Sequence, residues 1–143
     1  MKALTAKRVW SPEEAKDFYK QLLEKALRTI PETGAAMVLG PMFILRTPEE
    51  NFARFDDAHK ILEQKGIKVF NQVPFVDYNL PDAPFQYDIK FEIFYKGLIT
   101  SGKITASYLL PDWQQSKGTL QEIDFCKQAG VPVFELNQIY RSL

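Results

Sequence analysis

Apolar residues recur at helical spacing through Ala15, Phe18, Tyr19, Leu22, Leu23, Ala26, Leu27 and Ile30, while Lys16, Lys20, Glu24 and Lys25 occupy the other face. Ser11-Pro12-Glu13-Glu14 ahead of them reads as a capping box with proline at the first helical position, where its missing N–H costs nothing. Pro31 and Gly34 close this amphipathic helix. Ala35–Leu39 is a short apolar run stopped by Gly40-Pro41, the pattern of a buried strand entering a turn. After a loop over 42–48, Thr47-Pro48-Glu49-Glu50 repeats the capping box, and Phe52, Phe55, Ala58, Ile61 and Leu62 form the stripe of a second helix ending at Lys65-Gly66. Ile67, Val69 and Phe70 predict a strand that finishes at Asn71. Gln72–Pro84 carries three prolines and no periodicity, which predicts a long loop or lid. A helix over about Phe85–Leu98, a strand over Ile104–Leu110, a helix over Gly118–Gln128 and a strand over Val131–Leu136 follow.

Alternating helices and short apolar strands predict an α/β fold, with a flavodoxin- or Rossmann-like parallel sheet of four to five strands and helices on both faces. Residues 1–34 are read as an N-terminal helical extension and 35–143 as the α/β domain. A chain of 143 residues suits one such domain. In these sheets ligands collect beyond the carboxyl ends of the strands. That singles out three loops: Gly40–Pro48, Asn71–Pro84 and Pro111–Gly118.

Composition narrows the choice of ligand. Eighteen basic and eighteen acidic residues balance, with no long run of either sign, so neither a nucleic-acid polymer nor an anionic membrane is expected as partner. No apolar run approaches the ~20 residues of a membrane span, and residues 1–10 lack a signal-peptide core, so a soluble cytoplasmic protein is expected. The lone Cys126 excludes an internal disulfide and a cysteine-based zinc site. It reads as core, and His59 reads as lying on the polar side of its helix; no metal or cofactor is expected. Aromatic residues make up 13% of the chain. Phe43, Phe75, Tyr78, Phe85, Tyr87 and Trp113 fall in or beside the ligand-edge loops, where flat side chains can stack on a ligand.

The strongest local signal is Leu109-Leu110-Pro111-Asp112-Trp113-Gln114-Gln115-Ser116-Lys117-Gly118-Thr119-Leu120-Gln121-Glu122, a strand running through a polar loop into a helix. Free N–H groups and the positive end of the helix dipole suit an anion there. Gly118 would let the backbone approach it, and Ser116, Lys117 and Thr119 add donors. The spacing is not that of a Walker loop. Thr119-Leu120-Gln121-Glu122 also matches a plain capping box, which leaves a helix cap as the other reading.

The order of Leu39-Gly40-Pro41-Met42, Asn51-Phe52, Gly66 with Val69-Phe70-Asn71, the 109–122 segment and Gly130-Val131-Pro132-Val133 resembles the nucleoside 2-deoxyribosyltransferase-like superfamily, nearest to its small DUF4406 branch, over about residues 35–136. The resemblance implies cleavage or transfer of the N-glycosidic bond of a nucleoside or nucleotide, with Glu122 attacking the anomeric carbon. It places Ser116 on a 5′-phosphate, beside the expected contacts Lys117, Gly118 and Thr119 of the helix start, and the Gly40-Pro41 loop, with Met42, along the sugar and base. Asn71, Asp112 and Trp113 are further expected substrate contacts. It also implies a homodimer whose neighbouring subunit completes the site, with Asn137 as the candidate contributor. Three positions depart from the pattern: Met37 replaces a tyrosine, Gly97 an acidic residue and Thr105 an aspartate. A nucleophile without its supporting acid can bind without turnover. A non-catalytic nucleotide binder therefore stands beside the enzyme, and an interaction protein that has lost its ligand stands third.

Overall fold

The computed structural model describes residues 10–76 and 85–136. Helix α1 (Pro12–Arg28) begins with the expected capping box: Ser11 Oγ accepts from the Glu14 N–H, and the Glu14 carboxylate accepts from the Ser11 N–H. Strand β1 (Ala35–Leu39) leads to helix α2 (Pro48–Gln64), which Thr47 and Glu50 cap in the same way. A 3₁₀ turn follows at Val73–Phe75.

Helix α3 is continuous but irregular. It opens with an α-helical turn (Gln86–Ile89), widens into a π-helical segment (Lys90–Tyr95) and closes with another α-helical turn (Lys96–Ile99). Strand β2 (Ile104–Leu109), a 3₁₀ turn (Trp113–Gln115), helix α4 (Lys117–Ala129) and strand β3 (Val133–Glu135) complete the described chain. Gly130 ends α4 with φ +72°, the left-handed cap that glycine adopts without steric cost.

The sheet is parallel, in the order β1-β2-β3. It has three strands where four to five are predicted. The segment expected as a strand at 67–70 contributes a single bridge, Val69 beside Ala36, held by Ala36 N–H to Lys68 O and Phe70 N–H to Ala36 O, both 2.8 Å. Only one residue of β1 faces it, because the chain then turns at Asn71, whose Oδ1 accepts from the Val73 N–H.

Every residue of β1 is buried, as a strand covered on both faces requires. Ala35, Met37 and Leu39 face a core shared with α1, α3 and α4, whereas Ala36 and Val38 face a smaller core under α2 with Phe55, Ala58 and Leu62. α1 belongs to the first of these cores: Ala15, Tyr19 and Ala26 are fully buried, and the Tyr19 hydroxyl accepts from Gln86 Nε2 on α3. Among the described residues no helix is long and apolar enough to cross a membrane.

Candidate functional site

A cavity of about 420 Å³ opens at the carboxyl ends of β1 and β2, where an open α/β sheet presents its ligand edge. Three pieces of chain build its walls. Gly40, Met42, Phe43 and Ile44 come from the loop after β1; Tyr87, Lys90, Phe91 and Tyr95 from α3; and Ser116, Lys117, Gly118, Thr119 and Glu122 from the start of α4. Gln72 completes the lining. Three of the four α3 residues lie in or border on the widened turn, since Lys90, Phe91 and Tyr95 all belong to the π-helical segment. Such bulges are frequent at functional sites.

Glu122 is the carboxylate of this cavity. It is 6% exposed, and burial pushes its pKa up to about 8, with the nearby Lys90 pulling the other way. Its acid is therefore mostly protonated at neutral pH. Burial, with the Glu122 carboxylate second, also raises the Tyr87 phenol above its usual range. Three polar atoms of the lining are buried without a protein partner: Gln72 Oε1, Tyr87 Oη and Thr119 Oγ1. Buried polar atoms ordinarily find partners, so three orphans in one cavity mark where a ligand or solvent makes up the difference. Gln72 is 2% exposed and its amide is oriented, because Nε2 donates to Val38 O at 2.6 Å and leaves Oε1 as the open acceptor.

Helix α4 starts one residue before the expected point, at Lys117, and its N-cap is Ser116, whose Oγ accepts from the Thr119 N–H at 3.2 Å. The capping box anticipated from Thr119 to Glu122 is not formed, since Thr119 already lies inside the helix; Glu122 is on the face turned to the cavity. Gly118 lines the cavity and also meets a packing need. A Cβ there would stand 2.7 Å from Phe91 Cζ, so its bareness lets α3 pack onto α4. Gly40 likewise accommodates the Leu110 side chain, 2.7 Å from the position of a Cβ.

The cavity thus brings together Gly40, Met42, Ser116, Lys117, Gly118, Thr119 and Glu122. The other expected contacts lie elsewhere. Pro41 is buried and does not line the cavity. Asn71 is exposed and lines a second hollow of about 230 Å³ with Asp56, His59, Lys60, Glu63 and Val69. Asp112 accepts from Arg46 and Arg54. Trp113 packs against the larger core. Asn137 and Tyr78 lie outside the described residues.

His59, expected on a solvated face, is 7% exposed; burial lowers its pKa, and its Nε2 has no partner. Among the described residues no cluster of histidine, cysteine and carboxylate side chains could hold a metal ion. Sequence reasoning missed Gln72, Lys90, Phe91 and Tyr95 as cavity residues. Phe91 has the spacing of an ordinary apolar helix stripe, and nothing in the pattern signals a π-helical turn.

No curated protein and no solved structure matches the chain. One family model does, the domain of unknown function DUF4406, over residues 37–135. That match runs from β1 to the end of β3 and takes in every described segment lining the cavity, so the chain belongs to the DUF4406 family.

Proposed function

We propose that the cavity takes a nucleoside or nucleotide, and that the chain acts on it as an N-glycosidase or 2-deoxyribosyltransferase-like enzyme with Glu122 as nucleophile. The observation that carries this reading is the presence, in one cavity, of a buried carboxyl group and the start of a thirteen-residue helix. The helix start, with Ser116, Lys117 and Thr119, suits a phosphate. Phe43, Tyr87, Phe91 and Tyr95 offer flat faces to a base, and a volume of about 420 Å³ is of the size that small-ligand sites use. In the reaction the Glu122 carboxylate bonds to the anomeric carbon as the N-glycosidic bond breaks. The bonding pair leaves with the base, which takes a proton from water. Water or a second base then displaces Glu122.

A second reading, binding without turnover, is favoured by two observations. Burial keeps Glu122 mostly protonated at pH 7, and among the described lining residues there is no second carboxylate to assist it. We also propose a homodimer. Phe43, Ile44 and Leu45 are exposed beside the cavity, where a neighbouring subunit would cover them. Sedimentation as a monomer at micromolar concentration contradicts it.

A panel of nucleosides and nucleoside 5′-monophosphates separates the readings. Free base released by the wild type and not by Glu122→Gln supports the enzyme. Thermal stabilisation by a nucleotide without release supports the binder, and neither effect contradicts both.

A further inference from the structure

We propose that Asp112 is a positioning residue for the cavity, clamping in place the loop that carries Met42, Phe43 and Ile44 along its wall. Asp112 lies in the loop after β2, whereas its two partners come from other segments: Arg46 from the loop after β1 and Arg54 from α2. Asp112 Oδ2 accepts from Arg46 Nη2 and from Arg54 Nη1, the latter at 2.7 Å. The chain of contacts continues into the wall. Arg46 Nη1 donates to Asn51 Oδ1 at 2.9 Å, and Asn51 Nδ2 donates to the Ile44 carbonyl at 3.1 Å. Asn51 is 1% exposed, so both ends of its amide are committed inside the protein.

The loop needs such a clamp. Phe43, Ile44 and Leu45 are all exposed, with Phe43 packed edge-on against Phe52, so the interior holds these side chains only in part. Leu45 has φ +74°, a left-handed conformation that a leucine adopts only when its surroundings impose it. Arg46, Arg54 and Asp112 do not line the cavity and act on it through the loop. Two guanidinium groups share one carboxylate oxygen, so removing its charge leaves two like charges facing each other with only a neutral amide oxygen, a weaker acceptor, between them.

The effect on ligand rests on the reading of the cavity as a nucleotide site; the effect on the loop does not. The test is the backbone ¹⁵N order parameters of residues 42–46 in wild type, Asp112→Asn and Asp112→Glu, with Tm measured alongside. The clamp predicts wild-type values near those of rigid backbone, about 0.85, falling below about 0.6 in D112N and partly restored in D112E, with α1 and α3 unchanged. Unchanged values in D112N, or loosening spread through the whole domain, overturn it. Titration with nucleoside 5′-monophosphates then reads the ligand side. A rise in Kd or KM of about tenfold in D112N with kcat kept supports a positioning role, and loss of kcat at unchanged KM contradicts it. Where the wild type binds no nucleotide, the functional reading fails and the order parameters alone decide the clamp.

Discussion

Gly118 and Phe91 are packed so closely that a methyl group on the Gly118 α-carbon would stand 2.7 Å from Phe91 Cζ and 3.2 Å from its Cε1. This contact joins the start of α4 to the π-helical part of α3, and both line the cavity. Gly118→Ala must displace a buried ring. Overpacking costs about 1–3 kcal/mol, offset by up to about 1 kcal/mol of helix propensity. The expected result is a Tm lowered by several degrees. An unchanged Tm would show that the ring moves aside freely.

Glu122 makes stability depend on pH in a direction opposite to that of most carboxylates. Its folded pKa of about 8 lies above the usual 4.5, so the fold holds the proton that the unfolded chain gives up. Stability is therefore highest below about pH 4.5 as far as this group is concerned, falls between 4.5 and about 8, and is flat above. The full window corresponds to a loss on the order of 5 kcal/mol. Glu122→Gln removes that slope, so denaturant midpoints of wild type and E122Q should diverge as pH rises from 5 to 8, with E122Q the more stable at pH 8. Parallel curves would show that Glu122 ionises normally.

Ser116 serves both the helix and the cavity. Ser116→Ala loses the N-cap bond to the Thr119 N–H and should cost about 1 kcal/mol by denaturant titration. If the helix start holds a phosphate, the same change weakens a nucleoside monophosphate more than the matching nucleoside. Equal weakening of the two would remove the phosphate from Ser116.

Asn51→Ala breaks the strut between Arg46 and the Ile44 carbonyl at a position 1% exposed. Losing both partly buried hydrogen bonds should cost about 1–3 kcal/mol. A cost below half a kcal/mol would show that the loop after β1 does not depend on it.

Local signals were legible in the chain because they act over three or four residues. Ser11 with Glu14 and Thr47 with Glu50 form the capping boxes their spacing announces, and the apolar run at Ala35–Leu39 is a strand buried along its whole length. Ser116 and Glu122 stand six residues apart on one loop-to-helix segment, and the structure brings them into one cavity. What was not legible depends on distant partners. The apolar look of Ile67–Phe70 says strand, but only Val69 bridges to β1. Asp112 reads as a ligand-edge acid until Arg46 and Arg54 are folded against it. His59 carries a polar label on a helix whose polar face is partly covered. The widened turn at Lys90–Tyr95 leaves no mark in hydrophobic spacing, yet it supplies a wall of the cavity.

Glu122 is the residue on which the functional account stands. The most direct test is release of free base from nucleoside 5′-monophosphates by wild type and E122Q, measured side by side at pH 7 and pH 9 under subsaturating substrate. A nucleophile held at about 8 must lose its proton to act, so the wild-type rate should rise about tenfold between these pH values while E122Q stays at background. Release by E122Q at the wild-type rate, or a wild-type rate that falls with pH, would contradict it.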